Sequence, residues 1–227
     1  MRLLLLWVFL SGNPELPQTE SDSYFNHPDQ EEIEIDSKEN VKYKNKTIPV
    51  ILLDPVLKAL SFFPELEEVD ITFELKGKIS GAVMQAQPKI FSLFVDGKEN
   101  RKYKVKITKE LDFGDNGVLP IEEIPFDALV GWIGHELGHI MDYLNRSSAD
   151  MMHFGMRYMM SKQKVTEAEL TADGYAIGCG MGPHILANKN YILNNDDFED
   201  DYKEKIKNLY MSPQMVLTLH EALTKQY

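Results

Sequence analysis

The chain has 227 residues, 43% hydrophobic and 26% charged, proportions that exclude a fibrous, membrane-embedded or wholly disordered protein and fit one domain. A formal charge of −12 argues against nucleic acid as a partner, because phosphate affinity is built from clustered Lys and Arg. The lone cysteine, Cys179, excludes an intrachain disulfide and a thiolate zinc cluster, and reads as a small buried thiol.

Arg2 is followed by eight apolar residues, Leu3 to Leu10, and then by Ser11 and Gly12, so residues 1–12 read as a short secretory signal. The run is far shorter than the roughly 20 residues of a spanning helix, and no transmembrane anchor is expected. A signal implies export to a periplasmic or extracellular location; without one the chain would stay cytoplasmic. Residues 13–40 combine Pro14, Pro17 and Pro28 with a run of acids from Asp29 to Asp36, an acidic, flexible linker with too little apolar area to offset ordering entropy. A single domain is then expected over 41–227.

Asp54-Pro55 opens a short helix with Val56, Leu57, Leu60 and Phe63 on its buried face. Between 69 and 108 the period becomes two: Val69, Ile71, Phe73 and Leu75 alternate, as do Phe91, Leu93 and Val95, then Tyr103, Val105 and Ile107. These segments predict strands, the last two joined as a hairpin through Asp96-Gly97. From Pro125 to about Leu144 the apolar positions Leu129, Trp132, Ile133, Leu137, Ile140 and Met141 predict a helix. Further helices are expected at about 149–161, rich in Met, at 166–178, at 199–210 and from Pro213 to Lys225. A sheet followed by helices is an α+β order rather than a doubly wound one. The acids Asp196, Asp197, Glu199, Asp200 and Asp201 lack the glycine and terminal Glu of a calcium loop and read as a solvated helix start.

Inside the 125–144 helix lies His135-Glu136-Leu137-Gly138-His139, which fits H-E-x-x-H. On a helix the two histidines project from one face, one turn apart, so both imidazoles can meet one ion. Glu136, one residue round, sits where it can accept a proton from a water at the open coordination position. Gly131, Gly134 and Gly138 each disfavour the helix by about 1 kcal/mol relative to Ala, which makes sense where another backbone approaches closely. Asp142 returns to the metal-facing side; it either supports the histidines or stands as an exposed acid at the helix end. Further on, Glu169 and Asp173 lie four apart, hence on one helical face, as a ligand and its support would. Glu167 is the rival acid, on a different face; His153 and His184 fall at no spacing that ties them to the first helix.

The longer metzincin pattern is ruled out by Asp142 and Asn145, which stand where it needs Gly and His. His135-Glu-Leu-Gly-His139 followed by Glu169-x-x-x-Asp173 instead resembles the gluzincin clan of zinc metallopeptidases, and Glu-Leu-Thr-Ala-Asp-Gly-Tyr-Ala resembles its M48-like members. The resemblance covers about residues 125–178. It implies a zincin-like domain, a zinc ion held by His135, His139 and Glu169, and Asp173 hydrogen-bonded to a zinc-binding His. It also implies hydrolysis of a peptide or protein substrate with Glu136 as general base. The several membrane-spanning helices of the integral-membrane M48 enzymes are not found in this sequence. An extended substrate would pair with an edge strand, the 90–108 hairpin being one candidate. The oxyanion-stabilising His or Tyr typical of gluzincins is open among Tyr175, His184, Tyr191, Tyr210 and His220. The competing expectation is a non-catalytic binding or inhibitory module on the same fold.

Overall fold

The computed structural model describes residues 32–35 and 43–225. The expected signal at 1–12 lies outside them, as does the expected linker apart from residues 32–35. The architecture is α+β, a small sheet followed by a helical half. Five strands, β1 (Glu32–Ile35), β2 (Lys46–Pro49), β3 (Ile71–Lys76), β4 (Met84–Pro88) and β5 (Tyr103–Thr108), form one sheet in the order β1-β2-β3-β5-β4. The three central strands run parallel and the two edge strands antiparallel to them. A separate ribbon pairs β6 (Glu110–Asp112) with β7 (Val118–Pro120).

Helix α1 (Leu53–Leu60) follows β2, and α2 (Ile90–Val95) sits between β4 and β5. The helical half comprises α3 (Phe126–Leu144), α4 (Ser148–Met160), α5 (Lys162–Ala176), α6 (Gly182–Asn194), α7 (Asp200–Leu209) and α8 (Pro213–Thr224). The alternating Ile71 and Phe73 of β3 and Tyr103, Val105 and Ile107 of β5 are wholly buried, in one core with Val56 and Leu60 of α1 and Ile133, Leu137 and Ile140 of α3. Every residue of α3 from Ala128 to Tyr143 is buried, as expected of a helix packed on all sides.

Three local expectations differ from the structure. Residues 90–95 form a helix rather than the first strand of a hairpin: Phe91 and Val95, four apart, share an exposed face at 76% and 63% exposure while Ser92 and Leu93 are buried, so a three-residue alternation was a helical repeat seen too briefly. The partner of β5 is β4, whose Met-Gln-Ala-Gln-Pro carries no β-branched residue and thus no strand propensity to read. Within the segment expected to be flexible, residues 32–35 pair with β2. Helix α6 starts at Gly182-Pro183, because Pro fits the first helical turn, whose N–H groups lack intrahelical partners anyway. A π-helical segment, Ile177–Met181, joins α5 to α6, and Gly180 at φ +94° supplies a conformation that an L side chain would resist.

Candidate metal centre

The position of α3 fixes the centre. A Cβ on Gly131 would strike the His184 carbonyl oxygen of α6, and one on Gly138 would strike the Ala172 carbonyl oxygen of α5. These glycines let two backbones close onto α3, while Gly134 makes room for the Met181 side chain. The close approach of α5 brings Glu169 and Asp173 to the histidines. At the C-terminal end of α3, the buried Arg101 guanidinium donates to the carbonyls of Tyr143 (3.0 Å) and Arg146 (3.1 Å), satisfying acceptors that the helix leaves free.

His135, His139 and Glu169 are all buried, and one ligand atom from each falls within 4.8 Å of the others. Oε2 of Glu169 stands 3.0 Å from His135 Nε2 and 3.3 Å from His139 Nε2. The other ring nitrogen of His135, Nδ1, is 2.8 Å from Asp173 Oδ1. A carboxylate accepts, so Nδ1 carries the proton there, and Nε2 meets a second acceptor oxygen, donating to it as an imidazolium or facing it with a lone pair as the neutral ring. Facing electron-pair donors of this kind are held together by a shared cation, either a proton or a metal ion. Two imidazole nitrogens and one carboxylate are also the donor set of an open catalytic zinc site, so the residues present fit a divalent ion.

Each carboxylate is oriented from outside. Tyr158 donates its hydroxyl to Glu169 Oε1 at 3.0 Å. Asp173, wholly buried, accepts through Oδ2 from Lys189 Nζ and from the Met211 backbone N–H, both at 3.0 Å. The Lys189 ammonium also lies 4.3 Å from the centre of the Tyr210 ring, and that ring is 5.3 Å from the His135 imidazole. Glu136 accepts the Ala86 N–H of β4 at 2.6 Å through Oε2.

The charges answer to these contacts. Burial works against charging His135, but Asp173 and Glu169 outweigh it and push the imidazole up to about 10. Burial likewise opposes charge on Glu169, yet the two imidazoles hold its carboxyl well below the usual carboxylate range. Asp173 is held low against burial by Lys189 and His135. Glu136 goes the other way: burial dominates and raises it, although both imidazoles pull in the opposite sense.

The remaining candidates disperse. Asp142 is buried but engaged by Arg146, whose Nε and Nη2 meet its two oxygens at 2.9 and 3.0 Å, so its carboxylate is directed along the helix to that partner. Glu167 is exposed and paired with Lys164 and Gln163. His153 is exposed, and His184 faces Asp127 at 3.2 Å. Tyr175 accepts from Asn145, Tyr191 packs on Phe198, and the His220 ring lies against Gly182. Tyr210 alone of the five oxyanion candidates lines the cavity above Glu136 and His139, a space of about 120 Å³ bounded by β4 on one side and by α4 and α5 on another. Lys189, Tyr158 and the Ala86 N–H were not foreseen. No spacing marks the first two, and the third is a main-chain group.

Fold and site together define an α+β protein with a buried two-histidine, one-glutamate set able to hold a metal ion. In comparison with known proteins the chain matches no family model, no curated protein and no solved structure.

Proposed function

We propose that the chain is a zinc-dependent peptidase with a zincin-like domain, akin in its motifs to the M48-like gluzincins. The observation that carries this reading is the convergence of His135, His139 and Glu169 on one point while Glu136, from the same helix turn, lies beside them against an edge strand. His135, His139 and Glu169 would hold the zinc, which when bound supplies a Lewis acid for the scissile carbonyl and acidifies a water.

The chain's own groups do the rest. Glu136 takes the proton of the attacking water as its oxygen bonds to the carbonyl carbon, then delivers that proton to the leaving nitrogen as the C–N bond breaks. Its burial-raised pKa suits both halves of that transfer, since a carboxylate near its ordinary value would be a poorer acid in the second. The substrate-binding strand is β4 rather than the 90–108 hairpin: β5 lies between β3 and β4, whereas β4 is an edge strand lining the cavity. A substrate running antiparallel to β4 would draw main-chain hydrogen bonds from its outer edge once Glu136 releases the Ala86 N–H that it holds there. Tyr210 is the best placed oxyanion donor. Burial first, and then the charge of Glu169, keep its phenol protonated well above the usual value, as a donor requires.

The test is Glu136→Gln. The variant should bind zinc with one equivalent per chain, as the parent does, and cleave peptides about 10²- to 10⁴-fold more slowly. Unchanged turnover in the variant would remove Glu136 from the mechanism, and no turnover in the zinc-loaded parent would remove the peptidase.

A further inference from the structure

Resting on the peptidase reading, we infer that Lys205 receives the free C-terminal carboxylate of the substrate, so that the enzyme trims peptide ends, releasing fragments of at most about three residues. Among the described residues Lys205, on α7, is the single lysine or arginine lining the cavity over Glu136 and His139. Its side chain is half-buried and reaches from α7 across to the turn before β4, where it donates to the Gly81 carbonyl at 2.5 Å.

The direction of β4 puts this contact on the leaving side of the scissile bond. The strand runs from Met84 to Pro88, so a substrate antiparallel to it runs from the Pro88 end toward Met84. Glu136 marks the level of Ala86, and with the scissile carbonyl over Glu136 the residues after the cut lie opposite Gln85 and Met84. There the strand ends. At roughly 3.3 Å per residue, about two substrate residues span this distance, and just beyond it Lys205 and Gly81 join the two sides of the cleft. A longer chain would have to part that bridge. A chain that stops there brings its carboxylate to the ammonium.

The chemistry of the ammonium agrees with this placement. It carries three N–H donors, of which the Gly81 carbonyl takes one, and a neutral carbonyl leaves the positive charge uncompensated. The Tyr202 ring, centred 5.8 Å away, supplies no anion. Burial lowers the Lys205 pKa, and Glu169 and Glu136 oppose that through space, but both of those carboxylates have other tasks in the mechanism. A terminal carboxylate supplies the missing counter-charge through charge-assisted hydrogen bonds in a partly desolvated place. A terminal amide, or a chain that continues, brings no charge.

The experiment uses one peptide sequence as its free acid and as its C-terminal amide, and both forms again with four glycines added at the C-terminus. Binding to the zinc-loaded Glu136→Gln full-length chain is measured by calorimetry, and the products of the zinc-loaded parent are identified by mass spectrometry. Each acid should bind at least 10-fold tighter than its amide, and the cut should move with the terminus, releasing no more than about three residues from either length. Lys205→Met should bring the acid-to-amide ratio to about 1, while Lys205→Arg, which keeps the charge, should preserve it. Acid and amide bound alike by the parent, or cuts fixed in the sequence whatever follows them, would overturn the inference. So would a Lys205→Met chain that binds both forms more weakly with their ratio intact, since Lys205 would then only tie α7 to the β4 turn. Cleavage indifferent to the terminus would sink the inference and leave the peptidase standing; acids preferred in binding but never cut would do the reverse.

Discussion

Two buried cations in this molecule are handled in opposite ways. Lys46, wholly buried on β2, puts its ammonium among backbone carbonyls, those of Lys44 (2.7 Å), Val69 (2.5 Å) and Glu67 (3.4 Å). Burial lowers it to about 8, with Asp70 pulling the other way. Lys189, almost as deeply buried on α6, faces the carboxylate of Asp173 instead, which in turn holds His135. Neutral dipoles are enough where a lysine only ties a loop to a strand. A full counter-charge appears where a carboxylate has to stay ionised in the interior, and that place is the candidate metal centre. With a divalent ion bound, the charges of Glu136, Glu169 and Asp173 are balanced by the ion and Lys189 together. On this account Lys189 belongs to the electrostatics of the site and Lys46 to the stability of the sheet.

Removing each lysine separates the two roles. Lys189→Met leaves Asp173 as a buried charge without its cation, and equilibrium denaturation should show a loss of about 3–5 kcal/mol, together with weakened zinc binding. A variant that keeps both stability and affinity would show that Asp173 is satisfied by His135 and Met211 alone. Lys46→Met strands carbonyl acceptors but no charge, so a smaller loss of about 1–3 kcal/mol is expected, with zinc affinity unchanged. Equal losses for the two substitutions would erase the distinction.

The smallest effect is one of pH. Lys46 has a folded pKa of about 8 against the ordinary lysine value of 10.5, so between these values the folded chain sheds a proton that the unfolded chain keeps. The unfolded state then binds more protons, and stability gains with rising pH across that window; below about 8 the burial penalty is present in full. Denaturation of the parent minus that of Lys46→Met, followed from pH 7 to 10.5, should isolate this upward slope. A flat difference would place the Lys46 ammonium in contact with water.

Much of the centre could be read before the fold was known because it is written locally. One helix turn separates His135 from His139, another separates Glu169 from Asp173, and Gly131 and Gly138 announced close backbone approach, which α6 and α5 supply. What could not be read is what tertiary packing decides. Lys189 reaches Asp173 because α6 folds back along α3 and α5, and no period in the sequence encodes that crossing. Asp142 lay on the right face of its helix by spacing, yet Arg146, one turn further, takes both of its oxygens. The sheet was legible where β-branched and aromatic residues alternate, in β3 and β5, and illegible in β4, where glutamines and an alanine pair with β5. The strand proposed to bind substrate is thus the one with the weakest sequence signal.

The claim beneath all of this is that two imidazoles of α3 and one carboxylate of α5 hold a single divalent ion. Titration of the metal-stripped chain with zinc by calorimetry, in parallel with Glu169→Gln and Glu167→Gln, tests it most directly. The account predicts one equivalent bound by the parent and by Glu167→Gln, and binding by Glu169→Gln weakened at least 10-fold. Zinc bound equally well without the Glu169 carboxylate, or not bound by the parent at all, would contradict it.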